Sequence, residues 1–254
     1  MKKLMIIIFA LALCACAGSQ VSDATVNNVH SIVTLPSQNN LVILGVSARL
    51  STRENELAAA SELAARKVAM YHGLTASFEE VQVIGARFFD FEHGIHSRVD
   101  YNQQLEKHID RLSFDPDRDV FRDNNGNVFI RFTYPATFPG RINHQFGKEL
   151  DGRPEWIRRP PEEINGFKAG VGRSGRLDRF ADTFRRSQEA AAIAIASRIS
   201  TEIQAEEITV QNLQTTMQFR RQSIANMTHF LVLETWIDPQ TRAVYTLAIA
   251  QPAN

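Results

Sequence analysis

Cysteine is nearly absent from this chain. Its 254 residues include two cysteines, Cys14 and Cys16, and both lie close to the amino terminus. Their positions exclude a disulfide, a thiolate zinc site and a cysteine nucleophile in the body of the chain. The fold must therefore depend on a hydrophobic core, and a composition of 44% hydrophobic residues makes such a core feasible.

An excess of either charge is also missing, because 28 basic residues balance 28 acidic residues. Removing residues 1–15 takes Lys2 and Lys3 away and leaves 239 residues with a slight acidic excess. Net charge therefore gives no support for nucleic-acid binding, and we expect no nucleic-acid partner.

Catalytic motifs are missing as well. The sequence has no G-x-S-x-G nucleophile elbow, and its seven histidines are scattered along the chain. We predict that the protein is not an enzyme. The alternative is an envelope hydrolase, and the missing motifs disfavour it.

No apolar run is long enough to cross a bilayer. The longest, residues 4–13, is far shorter than the roughly 20 residues that a membrane-spanning helix needs. Lys2 and Lys3 precede this run, and small residues follow it, as in a cleaved export signal. The sequence therefore predicts a signal peptide over residues 1–15.

The residues before the predicted cleavage site are Leu13-Cys14-Ala15-Cys16. They resemble the bacterial lipobox, with Cys14 in a place usually held by Ser, Ala or Thr. The resemblance implies lipidation of Cys16, as a diacylglyceryl cysteine with a further acyl chain such as palmitate. Because Ala17 rather than Asp follows Cys16, it also favours the outer membrane, with the protein facing the periplasm. An ordinary secretory signal cut near Ala15 or Ala17 is the alternative.

The prolines indicate how the rest of the chain is divided. Five of the nine lie between residues 135 and 161, in a stretch with the composition of turns and extended chain. The predicted organisation is a flexible tether at 16–35, a first α+β module at 36–145, a Pro-rich linker at 146–166 and a second α+β module at 167–254.

Both predicted modules begin alike. Gly45-Val46 and Gly170-Val171 each end an apolar, strand-like run, and a helix with an alanine-rich stripe follows, at about 53–72 and about 178–201. Further strands follow in each module, and they are separated by a turn sequence at 123–126 in the first module and at 238–241 in the second. The fold class predicted from this pattern is α+β, with two tandem modules that each pack a long helix on an antiparallel sheet. We interpret the similarity as an internal repeat, and two unrelated amphipathic helices are the alternative.

The second half resembles a known family. Pro154-Glu-Trp156, then Pro160-Pro161, then Gly170-Val-Gly172 and an alanine-rich helix resemble the Lpp-twenty lipoprotein family over about residues 154–254. The lipobox upstream is consistent with this resemblance. Membership would imply a structural lipoprotein of the cell envelope, associated with flagella or envelope assembly. The resemblance supplies no catalytic residue.

Gly170-Val-Gly172-Arg-Ser-Gly175 matches the G-x-G-x-x-G pattern of dinucleotide sites. Such a site also requires a parallel βαβ unit, whereas the strands after this helix have an antiparallel pattern. We therefore predict no nucleotide and no other cofactor, and interpret the glycines as lining a strand-to-helix turn.

His93 and His96 are weak candidates for metal ligands, because Asp90, Glu92 and Asp100 lie nearby in the sequence. Gly94 instead suggests a solvated turn, so no metal site is predicted. Trp236 is expected in the core, and Trp156 is expected to pack the Pro-rich segment against a domain.

These observations predict a lipid-anchored envelope protein with a structural or adaptor role, which binds other envelope proteins or copies of itself. The alternative is a periplasmic lipoprotein that binds a small ligand or a metal ion. An adaptor should expose apolar patches or unpaired sheet edges, whereas a ligand binder should contain a deep pocket with convergent polar groups.

Overall fold

The computed structural model describes residues 24–25, 31–84, 91–143, 149–150, 152–204 and 217–253. The predicted signal peptide and Cys16 lie outside these residues. In chain order the strands are β1 (Ala24–Thr25), β2 (Ser31–Val33), β3 (Asn40–Ser47), β4 (Leu74–Ile84), β5 (Phe91–Tyr101), β6 (Val120–Arg122), β7 (Val128–Pro135), β8 (Glu149–Leu150), β9 (Arg153–Pro154), β10 (Glu163–Ile164), β11 (Phe167–Ser174), β12 (Met217–Ile237) and β13 (Val244–Pro252). The helices are α1 (Arg53–His72), α2 (Glu106–Ile109), α3 (Glu155–Arg158) and α4 (Phe180–Gln204).

The smaller of the two main sheets has the order β1-β6-β7-β3. Strands β6 and β7 form a hairpin, β3 pairs antiparallel with β7, and β1 pairs parallel with β6. Helix α1 packs on this sheet at Gly45, where an added Cβ would lie 2.4 Å from the carbonyl oxygen of Ala60. The missing side chain lets the helix backbone approach the strand closely.

The larger sheet has seven strands in the order β10-β11-β13-β12-β4-β5, with β2 also pairing with β12. Its pairings are antiparallel throughout. Strand β12 organises this sheet, because its first half pairs with β4 and its second half pairs with β13 and β2. Register shifts after Thr228 and Val232 separate the two halves, and His229 has a positive φ of 55° between them.

The prediction of two tandem helix-on-sheet modules is wrong. Strands β2, β4 and β5, from the first half of the chain, lie in the same sheet as the strands of the second half. Among the residues that the structure describes, strands outweigh helices, and the two main sheets are almost entirely antiparallel. Alternating hydrophobicity identifies the buried face of a strand but does not identify its neighbour, and β12 is long enough to pair with strands from both halves.

The alanine-rich faces of α1 and α4 are buried. Ala60 and Ala64 of α1, and Ala191 and Ala192 of α4, are completely inaccessible to solvent. Helix α4 lies across β11, β13 and β12 and reaches β4 and β5. Within the described part of the chain, no helix is long and apolar enough to cross a membrane.

Candidate functional site

The structure places the two candidate metal ligands in β5. In the β4–β5 ladder, His93 lies opposite Gln82 and His96 lies opposite Glu79. The backbone there is an extended strand rather than the solvated turn that Gly94 suggested. No group of three or more His, Cys, Asp or Glu side chains that could hold a metal ion occurs among the residues whose side chains are described.

The glycines of the G-x-G-x-x-G pattern serve packing in this structure. An added Cβ on Gly172 would lie 1.9 Å from the Ser187 carbonyl oxygen, and one on Gly170 would lie 2.8 Å from the Ala191 carbonyl oxygen. Both glycines lie within β11, which pairs antiparallel with β13. They therefore bring α4 against the strand, and our placement of them in a strand-to-helix turn is wrong.

Both tryptophans are buried, as expected. Trp156 lies in α3 and donates from Nε1 to Glu234 Oε2 at 2.8 Å. The hydroxyl of Ser31 donates to the other carboxylate oxygen of Glu234 at 2.5 Å. Glu234 is completely buried in β12, and these two donors satisfy its carboxylate. These two hydrogen bonds connect the Pro-rich segment and β2 to β12.

Three histidines that are distant in the sequence converge where α1 ends, beside α2 and the irregular part of β12. The rings of His72 and His108 stack with their centroids 5.5 Å apart and their planes at 14°. His229 lies edge-on to Tyr71, with a centroid distance of 5.2 Å. His108 Nδ1 is 3.1 Å from the Tyr134 hydroxyl. Sequence analysis missed this cluster, because no spacing of histidines along the chain indicates it.

Burial lowers the pKa of both stacked histidines. The positive charge of Arg111 lowers both pKa values further. A neighbouring imidazole adds to the effect: His229 lowers the pKa of His72, and His72 lowers the pKa of His108. Burial also raises the pKa of Tyr71 to about 12, so this phenol does not ionise near neutral pH. The arrangement can therefore take up protons in acid.

Lys67 of α1 is buried at the boundary between the two main sheets. Its ammonium donates to the carbonyl oxygen of Leu44 in β3, and burial lowers its pKa to about 7. A neutral amine is nucleophilic, and buried lysines serve as Schiff-base catalysts in some enzymes. The cavity beside Lys67, however, has a volume of about 10 Å³, which admits no substrate. In this structure the ammonium of Lys67 links α1 to β3.

A larger cleft opens at the start of α1. Its volume is about 360 Å³, and its lining includes the arginines Arg49, Arg53 and Arg122 and a single acid, Glu56. Arg122 and Glu56 form an ion pair at 2.5 Å. Burial alone would raise the pKa of Glu56, but Arg122 and the Leu50 amide bond its carboxylate and hold the pKa below the ordinary value. The cleft thus has a basic lining.

An apolar cavity of about 290 Å³ adjoins this cleft and shares Arg53, Glu56 and Arg122 with it. The rest of its lining is apolar and comes from α1, from the loop before β6, and from the β6–β7 hairpin: Leu57, Phe114, Pro116, Val120, Val128 and Ile130. A charged cleft beside an apolar cavity is suited to a ligand that has a polar end and an apolar end.

Strand β5 provides a different kind of surface. It has 11 residues and ends the larger sheet on one side, so its outer edge pairs with none of the described strands. Ser97, Arg98 and Asp100 on this strand are exposed. Strand β3 likewise ends the smaller sheet, but Leu41 and Val46 on it are completely buried and Lys67 bonds to its carbonyl. The accessible long edge in the described part of the chain is therefore that of β5.

Comparisons with protein-family models, with curated proteins and with solved structures all give no match to this chain. The resemblance to the Lpp-twenty family therefore stays a prediction from the residues that suggested it.

Proposed function

We propose that the chain is a lipid-anchored lipoprotein of the bacterial outer membrane with a structural or adaptor role, which binds other proteins on its periplasmic side. The lipobox-like residues ending at Cys16 support the anchor. The observation that carries the protein-binding role is the outer edge of β5, whose 11 residues have a strand neighbour on one side among the described elements.

An unpaired strand edge binds proteins through its backbone. Each outward N–H and C=O can bond to a strand added by a partner, and the neighbouring side chains then select that partner. Arg98 and Asp100 form an ion pair on β5 at 2.8 Å, with their side chains 76% and 53% exposed. Charged side chains on an edge oppose indiscriminate aggregation, so β5 is suited to a selective contact rather than a general one.

Proline substitution tests this role, because proline lacks the N–H that a strand partner would accept from. In antiparallel pairing, successive residues direct their backbone groups to opposite edges of the strand. Of Ser97→Pro and Arg98→Pro, one therefore removes an N–H from the outer edge and the other disturbs the ladder with β4. We expect the outer-edge variant to keep the wild-type unfolding temperature.

The measurement is chemical cross-linking in intact envelopes, followed by blotting for the lipoprotein. We expect discrete adducts for the wild type and at least a tenfold loss for the outer-edge proline variant. Gln103→Pro, at an exposed position beyond the end of β5, is the matched control and should keep the adducts. Absence of adducts in the wild type, or their persistence in both strand variants, would contradict the protein-binding role.

A periplasmic ligand-binding lipoprotein is the second candidate function. The arginine-lined cleft and the apolar cavity beside it favour this candidate, because together they have the volume and the mixed chemistry of a small-molecule site. The two roles use different surfaces, so one protein could perform both.

A further inference from the structure

The cleft at the start of α1 and the adjoining apolar cavity present opposite chemistry to one ligand. Three arginines against one glutamate line the cleft, so its lining carries more positive than negative charge. Arginine binds carboxylates and phosphates through paired N–H groups. The cleft therefore favours an anionic group.

The apolar cavity favours a hydrocarbon chain. Leu57, Phe114 and Val120 contribute to its wall, and the ion pair of Glu56 with Arg122 stands where the cavity meets the cleft. An alkyl chain is more stable against such a wall than in water, because its apolar surface is then removed from water. The shared side chains place this apolar volume directly beside the basic one, so a single molecule could occupy both.

We propose that the two cavities together bind an anionic amphiphile, that is, a carboxylate or phosphate that carries an alkyl chain. The anionic group lies against Arg49 and Arg53, and the alkyl chain lies against Leu57, Phe114 and Val120. This inference gives the ligand-binding function a ligand class and does not depend on the role of β5. A free fatty acid and an anionic phospholipid share this chemistry.

Photo-cross-linking to the full chain, in solubilised or native envelopes, tests the site. The first probe is a diazirine-bearing alkyl carboxylate, and the second is a diazirine-bearing phosphatidylglycerol. Mass spectrometry of the digested protein should find the label on peptides that contain Leu57, Phe114 or Val120. Labelling by the first probe alone identifies a free acid as the ligand, and labelling by the second alone identifies a phospholipid.

Competitors separate a specific site from hydrophobic adsorption. Lauric acid should reduce labelling by the carboxylate probe at least tenfold, whereas the uncharged lauryl alcohol should not at the same concentration. Equal competition by the alcohol would overturn the proposal, because the basic lining would then contribute nothing. Label spread evenly over the digested peptides would overturn it as well.

Substitutions in the cleft and in the apolar cavity test where the anionic group and the alkyl chain of the ligand bind. Arg49→Glu and Arg53→Glu should each reduce labelling about tenfold by reversing charge in the cleft, and Leu57→Trp should do so by filling the apolar cavity. Arg131→Glu reverses an exposed arginine on β7 and should leave labelling unchanged. Variants are compared only where their unfolding temperature matches the wild type. Unchanged labelling in all three site variants would overturn the proposal, whatever the outcome for β5.

Discussion

Arg242 and Asp123 join the β6–β7 turn to the β12–β13 turn. Arg242, in the turn between β12 and β13, donates from Nη2 to Asp123 Oδ2 at 2.8 Å. Asp123, in the turn between β6 and β7, also accepts hydrogen bonds from the backbone amides of Asn125 and Asn127. The guanidinium of Arg242 lies over the ring of Phe180 at 4.9 Å. This ion pair therefore connects the smaller sheet, the larger sheet and the start of α4.

Asp123→Ala should lower the free energy of unfolding by about 2–4 kcal/mol, because it leaves a partly buried arginine and two backbone amides without their acceptor. Burial alone would raise the pKa of Asp123, but its bonds to Arg242 and Asn127 hold it below the ordinary value. The contribution is therefore present above about pH 4 and is lost as the pH falls through the lowered pKa. Urea unfolding at pH 7 and pH 3 measures it. Asp117→Ala, at an exposed carboxylate, should change little.

Gly172→Ala should destabilise the protein by about 3 kcal/mol, because its Cβ would overlap the backbone of α4 at Ser187 and Ala191. Gly175→Ala is the matched control, since nothing lies within 4 Å of the added Cβ and its φ is not positive. The control should shift the urea midpoint little. Equal midpoints for the two variants would mean that α4 does not rest on β11 at Gly172.

Lys67 should make stability rise with pH in the alkaline range. Its pKa in the folded protein is about 7, against 10.5 for an exposed lysine, so the unfolded chain binds the extra proton between these values. The free energy of unfolding should rise by about 2 kcal/mol from pH 7 to pH 9. In Lys67→Met this rise should be absent, whereas Lys107→Met, at an exposed lysine, should retain it. The same slope in wild type and Lys67→Met would contradict the burial of this ammonium.

His72 and His108 should both titrate below pH 6.5, because burial and nearby positive charge disfavour their protonated forms. Their lowered pKa values also mean that the unfolded chain binds more protons below pH 6.5, so stability should decrease as the pH falls from there. Proton NMR titration of the imidazoles, assigned with His72→Gln and His108→Gln, measures both pKa values. A value at or above 6.5 for either histidine would contradict the burial of that ring beside Arg111.

The helices and turns were largely predictable from the sequence, and the sheet arrangement was not. A helix was predicted at about 53–72 and another at about 178–201, and the structure has Arg53–His72 and Phe180–Gln204. Local periodicity determines such elements. The pairing of β12 with β4 joins residues more than 130 positions apart, and no local pattern specifies it. The predicted division into two modules failed at this pairing.

The candidate sites depended on the same long-range contacts. The arginine-lined cleft brings Arg49 and Arg53 at the start of α1 to Arg122 at the end of β6, and the imidazole cluster combines α1, α2 and β12. Arginine and histidine are common on protein surfaces, so their positions in the sequence indicate nothing until the fold brings them together. Trp156 was predictable, because an aromatic residue within a Pro-rich segment usually has a packing role.

Lipid attachment at Cys16 is the most direct test of an anchored envelope protein. Cells that express the full chain are labelled with an alkyne-bearing palmitate, and the purified protein is examined for label and for the mass of its amino-terminal peptide. We predict that the wild type and Cys14→Ser carry the label and begin at residue 16, and that Cys16→Ser carries none. Label retained in Cys16→Ser, or lost in Cys14→Ser, would contradict this account.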